Sequence, residues 1–109
     1  MSTRSRPMAL QGPSAEADDA VSDEVRERVG IAIIGILREL GPMVDERLVE
    51  EYDARREDYP DIPRVTPQRI RTARAALTHR GLVVDSGIPG RSALDHPATV
   101  WALTARGLA

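Results

Sequence analysis

The spacing of apolar residues changes at Gly81, and this change constrains the fold more than any other feature of the sequence. Before Gly81, apolar residues recur every three or four positions in three segments, which is the period of amphipathic helices. After Gly81 come two β-rich runs, at 82–86 and 99–103, separated by a segment that contains glycine and proline. Three helices followed by a β-hairpin predict an α+β domain.

The first helix is predicted over Asp23–Leu40, and Gly41-Pro42 ends it. Six residues form its apolar face: Val25, Val29, Ala32, Ile33, Ile36 and Leu40. Ile31 and Ile34 fall on another side of the helix, which allows two interpretations. Either the preceding tail or a neighbouring helix covers them, or they form a self-association surface, since exposed isoleucines favour a partner. The second interpretation implies a homodimer through helix 23–40.

The second helix is predicted over Asp45–Asp58, with one apolar stripe and an acidic opposite side. The stripe consists of Val44, Leu48, Val49 and Tyr52. The third helix, over 66–80, has the clearest boundaries, because Thr66 is a natural N-cap, Pro67 suits the first helical position and Gly81 suits the position after the end. Its inward residues are expected to be Ile70, Ala73 and Leu77.

The ends of the chain and its cysteine content bear on where the protein works. Residues 1–22 show no apolar periodicity and are interpreted as a flexible N-terminal tail, which leaves 23–109 as the domain. No run approaches the length of a membrane span and the N-terminus lacks an apolar signal core, so no membrane association is expected. The chain has no cysteine, which excludes disulfides and cysteine zinc sites and favours a cytoplasmic protein.

The overall charge of −2 conceals a marked asymmetry along the chain. Residues 23–61 hold six arginines and twelve acidic residues, for a net charge of −6. Residues 62–109 hold seven arginines and two aspartates, for a net charge of +5, and all basic residues of the chain are arginine. Because a phosphate backbone responds to the local field, the third helix and the hairpin form the segment suited to nucleic acid.

The third helix places its polar residues opposite its apolar face. On that side lie Gln68, Arg71, Thr72, Ala75 and His79, with Arg69 on a flank. Arginine and glutamine pair in a bidentate manner with guanine and adenine, and small residues permit close approach to bases in the major groove. Four arginines are better placed for phosphates or a neighbouring groove: Arg64, Arg69, Arg80 and the hairpin-tip Arg91. A solvated arginine face on an ordinary helix is the alternative interpretation.

Three segments of the chain together resemble a known protein family. They are the run from Thr66 to Leu77, the Arg80–Gly87 segment (RGLVVDSG) and the return run Ala98–Leu103 (ATVWAL). They are similar to the recognition helix and wing of winged helix-turn-helix proteins, specifically the MarR-like small DNA-binding proteins of actinobacteria and their phages. The resemblance covers residues 23–105 and is strongest over 64–103. It implies a three-helix helix-turn-helix core with a two-stranded wing, and double-stranded DNA binding as a small transcriptional regulator.

Carried over by position, the resemblance places five residues on the DNA-facing side of the recognition helix: Gln68, Arg69, Arg71, Thr72 and Ala75. Thr66, at the start of the same helix, is a further candidate DNA contact. It places Arg91 and Ser92 on the wing, over 87–98. The glycines and proline of Gly87–Gly90 by themselves predict a turn there. Trp101 is expected to be a core residue that anchors the hairpin. Winged-helix regulators commonly form dimers, and a dimer of this chain would double the basic surface.

No enzyme, cofactor or metal is expected. His79 and His96 are the two histidines and match no catalytic or ligating spacing, and an adventitious metal at Asp95-His96 is a minor alternative. The main alternative function is a winged-helix protein-interaction module. In that case the acidic helix 45–58 or the Ile31/Ile34 surface would dock a host or partner protein.

Overall fold

The computed structural model describes residues 22–108. The predicted N-terminal tail therefore lies outside the described residues, apart from Ser22. The Ser22 hydroxyl caps the first helix, since its Oγ accepts a hydrogen bond from the Val25 backbone N–H at 3.2 Å. This contact satisfies one of the backbone donors that every helix leaves open at its start.

Within residues 22–108 the chain forms four helices and three strands. Their bounds are α1 Asp23–Leu40, β1 Met43–Val44, α2 Asp45–Asp58, α3 Pro67–His79, β2 Val83–Arg91, β3 Pro97–Leu103 and α4 Ala105–Leu108. The strands make one antiparallel sheet in the order β1-β3-β2. The protein is thus α+β, as predicted, and this element order is compatible with a winged helix.

The core lies where α1, α2 and α3 meet one face of the sheet. Its fully buried residues are Val29, Ile33, Ile36, Leu48, Tyr52, Ile70 and Val83. Trp101 on β3 packs against this cluster, in agreement with its predicted role. Side chains from α1, α2, α3 and β2 therefore pack into a single hydrophobic core.

One predicted core residue is wrong. Leu40 is 53% exposed, whereas Leu37, which the helical pattern did not include, is buried. Leu40 has the correct angular position on α1, but it is the last residue of the helix. Gly41, with φ +88°, immediately turns the chain toward β1, so Leu40 lies past the end of the packed layer. A helical pattern gives the direction of a side chain and not how far the neighbouring elements extend.

The predicted turn at Gly87–Gly90 is also wrong, because β2 continues through this segment to Arg91. The pairing shifts register between Asp85 and Pro89, which marks a bulge. Gly87 adopts φ +78° there, and its N–H donates to the Asp85 Oδ1 at 2.9 Å. Glycine at positive φ is a usual solution for an extra residue in a strand. The chain reverses instead over residues 92–96.

Gly90 has a separate reason to lack a side chain. A Cβ at this position would meet the Val100 Cγ2 atom, the Ala98 carbonyl oxygen at 2.9 Å and the Val44 Cγ1 atom at 3.0 Å. The glycine therefore allows β2 to pass closely over β3 beside β1. The glycines that suggested a turn in the sequence serve a bulge and a close strand contact in the fold.

No helix in the described part of the chain has both the length and the apolar composition needed to cross a bilayer. Among residues 22–108, no group of three or more histidine or carboxylate side chains lies close enough together to hold a metal ion.

Tyr52 links the core to the loop before α3. Its ring is fully buried and its hydroxyl donates to the Pro63 carbonyl oxygen at 2.6 Å. Burial, as the largest cause, raises the pKa of Tyr52 from 10.0 to about 12, because the phenolate would lose its hydration. The folded state therefore holds this proton more tightly than the unfolded state.

We expect the free energy of unfolding to fall as the pH rises from 10.0 toward 12, the interval between the two pKa values. The contribution is complete below the lower value. Urea unfolding at a series of pH values measures this loss. Tyr52→Phe removes the titrating group, so its unfolding free energy will be about 1 kcal/mol lower at neutral pH but will decline less at alkaline pH. Parallel pH profiles for the two proteins would contradict the assignment.

Candidate nucleic-acid interface

Both ends of α3 are defined by local interactions that its sequence encodes. The Thr66 Oγ1 accepts a hydrogen bond from the Arg69 backbone N–H at 3.1 Å, and Pro67 occupies the first turn. At the other end Gly81 adopts φ +82°, its N–H donates to the Thr78 carbonyl and the Leu82 N–H donates to the Leu77 carbonyl, each at 3.0 Å. This is the Schellman arrangement, which satisfies the last carbonyls of a helix. The helix therefore has fixed ends.

The packing of α3 decides which of its residues reach solvent. Ile70 and Leu77 are 1% and 4% exposed, and Ala73 packs partly buried against the same core. The opposite side is solvent-exposed, and we call it the α3 outer face: Gln68, Arg71, Thr72, Ala75 and His79. The structure thus brings four of the predicted DNA-contacting residues, Gln68, Arg71, Thr72 and Ala75, onto one exposed surface.

Arg71 is the arginine on this face that is available to a ligand. Within residues 22–108 its guanidinium takes part in no ion pair and no hydrogen bond. The side chains of Arg64 and Arg80, which precede and follow the helix, are exposed and equally uncommitted in this part of the chain. Three guanidinium groups are therefore distributed along the helix and its two ends.

Thr66 and Arg69 occupy different environments from the rest of the predicted set. The Thr66 hydroxyl oxygen is engaged as the N-cap. Arg69 is half-buried at the edge of a cavity between α1 and α3, which Glu27, Ile34 and Leu82 also line. Arg69 also interacts within the protein.

Arg74 is the arginine of α3 that sequence reasoning did not single out. It forms a bidentate pair with Asp45 of α2, with Nε to Oδ1 and Nη2 to Oδ2 both at 2.9 Å. Its Nη1 donates to the Thr78 Oγ1 at 3.2 Å, and its guanidinium carbon lies 3.7 Å from the centroid of the Trp101 ring. We call these residues the Arg74 cluster: Arg74, Asp45, Thr78 and Trp101. The cluster joins α3 to the start of α2 and to β3.

Several polar groups of the hairpin tip form hydrogen bonds and an ion pair within the protein. The Arg91 Nη1 donates to the Asp95 carbonyl at 3.0 Å, and its Nε lies 3.6 Å from the Asp95 carboxylate. The Ser92 Oγ accepts from the His96 backbone N–H at 3.3 Å. The Ala93 N–H donates to the Glu46 Oε1 at 2.6 Å, which holds the tip against the first turn of α2. Arg91 and Ser92 are therefore part of a structured tip beside α2.

Single-sequence reasoning could not have found the Arg74 cluster or the Glu46 contact. Arg74 and Asp45 are separated by 29 residues, and Glu46 and Ala93 by 47. The spacing within the Thr66–Leu77 run shows Arg74 only as another arginine on the helix. Asp45 stands at the first position of α2, where the helix dipole alone explains an acidic residue. The sequence therefore gives no reason to expect its pairing with Arg74.

Comparison of the chain with protein-family models, curated proteins and solved structures gave no match.

The Arg74 cluster predicts a large effect for a conservative change. Asp45→Asn leaves a mostly buried guanidinium without its carboxylate, since the Arg74 and Asp45 side chains are only 12% and 22% exposed. We expect the free energy of unfolding to fall by about 1–3 kcal/mol, measured by urea denaturation. A double-mutant cycle with Arg74→Met will show coupling between the two positions.

Arg47→Met is the matched control, because it removes an arginine from an ion pair with Glu51 in which the Arg47 side chain is 57% exposed. It should change stability by less than about 0.5 kcal/mol. Equal losses in Asp45→Asn and Arg47→Met, or no coupling in the cycle, would show that the Arg74 cluster does not join these elements energetically.

Proposed function

We propose that this chain is a winged-helix protein that binds double-stranded DNA, with α3 in the major groove, and acts as a small transcriptional regulator. The observation that carries the proposal is the α3 outer face. It presents an uncommitted arginine together with Gln68, Thr72 and Ala75 on the side of the helix away from the core. This combination of side chains suits base edges, because arginine and glutamine make bidentate contacts and small residues allow close approach.

The local charge supports the same function. Arg64 and Arg80 lie at the two ends of α3, where they are suited to the phosphates on either side of the groove. The acidic residues concentrate in α1 and α2, and several are occupied internally, as the Asp45–Arg74 and Glu51–Arg47 pairs show. The field around α3 is therefore more positive than the net charge of the protein suggests.

In this proposal the hairpin is the wing, and residues 87–98 contact the DNA backbone or the minor groove. Arg91 would exchange its contacts with Asp95 for a phosphate, so its contribution is smaller than that of a free arginine. The main affinity and the base preference come from α3. The acidic helix 45–58, offered by the sequence as a protein-docking surface, gains no specific support from the described contacts.

Removal of one guanidinium from the α3 outer face tests the proposal. Arg71→Ala should weaken binding to a selected duplex by about 1–3 kcal/mol and relax the base preference at one position. Selection from a random duplex library supplies the sequence, and fluorescence anisotropy across a salt series measures affinity. If Arg71 instead contacts a phosphate, the slope of log K against log salt will decrease by about 0.9.

Arg28→Ala is the matched control, because it removes the same charge from α1, where the exposed Arg28 side chain pairs with Glu24 and borders a groove that no α3 residue lines. It should retain both affinity and base preference. Arg71 is a better target than Arg69, whose contacts within the protein would mix folding with binding. Wild-type affinity for Arg71→Ala, or equal losses for the two variants, would exclude α3 as the reading element.

A further inference from the structure

The hairpin tip, residues 92–96, is a turn that its own backbone holds in shape. The Asp95 N–H donates to the Ser92 carbonyl, and the Ser92 N–H donates to the His96 carbonyl, both at 2.9 Å. Asp95 adopts φ +64°, in the left-handed region. A turn followed by a left-handed residue is a common form of short hairpin loop. These two hydrogen bonds leave the Ala93 N–H for a partner outside the turn.

That partner is a carboxylate of α2. The Glu46 Oε1 accepts from the Ala93 N–H at 2.6 Å, although Ala93 is exposed and water could serve the same donor. Within residues 22–108 no other hydrogen bond and no ion pair joins the tip to α2. A bond between a carboxylate and a backbone N–H is charge-assisted. One such bond therefore ties the tip to the helix.

Three neighbouring residues of the hairpin supply donors on the same side. Arg91, Ser92 and Ala93 line one groove of about 610 Å³ together with Glu46. The Ser92 Oγ accepts from the His96 N–H, so its hydroxyl hydrogen remains to donate. A guanidinium, a hydroxyl and a backbone N–H are the groups by which proteins contact phosphate oxygens. The groove therefore contains the donors of an oxyanion site.

Carboxylates of the protein itself satisfy two of these donors. Glu46 accepts from the Ala93 N–H, and Asp95 lies 3.6 Å from the Arg91 Nε. Carboxylates and phosphates both present anionic oxygens to N–H groups, so they compete for the same position. The Arg91 and Asp95 side chains are 62% and 87% exposed, and exchange of such surface contacts leaves the core intact.

We propose that the hairpin tip is a phosphate site that Glu46 occupies in the free protein, and that a backbone phosphate of bound DNA displaces Glu46. The phosphate then accepts from the Ala93 N–H, the Ser92 hydroxyl and the Arg91 guanidinium. The identity of the ligand rests on the proposed function, whereas the site rests on the contacts of the tip. Glu46 thus lowers the affinity of the hairpin for DNA, because its charge must leave the tip before a phosphate can bind.

This role differs in sign from that of a tether that orders the tip for binding. The turn is already shaped by the hydrogen bonds between Ser92, Asp95 and His96, so Glu46 is not needed to form it. A carboxylate at the Ala93 N–H repels a phosphate that approaches the same group. Removal of the charge at position 46 therefore strengthens DNA binding, whereas removal of an ordering tether would weaken it.

Charge removal at position 46 tests the displacement. Glu46→Gln keeps an oxygen acceptor and loses the negative charge, so the affinity for the selected duplex should rise about fivefold at low salt and less at high salt. Fluorescence anisotropy measures the change. Glu50→Gln is the matched control, since Glu50 is exposed, lines the same groove and forms no hydrogen bond to the tip within residues 22–108. It should alter the affinity by less than about twofold.

Arg91 shows whether the gain arises at the tip. In an Arg91→Ala background the phosphate loses its cation, so the gain from Glu46→Gln should fall to the level of the Glu50→Gln control. Far-ultraviolet circular dichroism verifies that each variant keeps its helices. Weaker binding by Glu46→Gln would overturn the proposal, as would equal gains from the two glutamine variants or a full gain without Arg91.

An anion titration tests the site without DNA. Glu46→Ala vacates the Ala93 N–H, so inorganic pyrophosphate should shift the Ala93 amide resonance of this variant at a lower concentration than in the wild type. Adding Arg91→Ala should abolish the shift. An Ala93 resonance that responds equally in wild type and Glu46→Ala, or in neither, would overturn the proposal.

The two proposals fail in different ways. If the wild-type protein binds no duplex but pyrophosphate shifts Ala93 in Glu46→Ala as expected, the DNA proposal is wrong and the tip site stands. If Arg71→Ala weakens duplex binding but Glu46→Gln does not strengthen it, the tip inference is wrong and α3 remains the reading element.

Discussion

The bidentate pair between Arg74 and Asp45 is the contact on which the arrangement of α3 most depends. Core packing of Ile70 and Leu77 holds α3 against the other helices, but apolar contacts alone define rotation about its axis only loosely. The Arg74 guanidinium contacts a fixed carboxylate on α2 and the Trp101 ring on β3. These directional contacts add to the apolar packing that turns the α3 outer face toward solvent. Arg71, three residues earlier, lies farther round the helix and is exposed.

Arginines in the same short helix thus serve different purposes. Arg74 is sequestered by an acid and an aromatic ring, Arg69 lies at the α1–α3 cavity, and Arg71 is exposed on the α3 outer face. The acidic segment has a similar division. Asp45 and Glu46 hold α3 and the hairpin tip, whereas Asp53 and Glu57 remain in solvent. Part of the charge asymmetry along the sequence therefore forms ion pairs and hydrogen bonds between the acidic and basic segments, and the remainder stays exposed to solvent.

Local signals explain why much of the fold could be predicted. The bounds of α1 and α2 agree with the structure, and α3 begins and ends within a residue of its predicted limits, because each has a cap or breaker that acts on its own backbone. Predictions failed where distant elements decide the outcome. The exposure of Leu40 depends on where the packed layer ends, and Gly87 forms a bulge because β2 has a partner strand there. β1 has only two residues, too few for any periodicity, and exists because Met43 and Val44 pair with β3.

The sequence by itself determined the helices, the apolar face of α3, the separation of acidic from basic segments and the isolation of Ile31 from the apolar stripe of α1. These properties follow from residue types at short spacing, where backbone geometry alone relates one side chain to the next. Only the tertiary structure decided which arginines are committed and that the hairpin tip rests on α2. Each of these depends on contacts between residues far apart in sequence, and no local periodicity encodes such pairs.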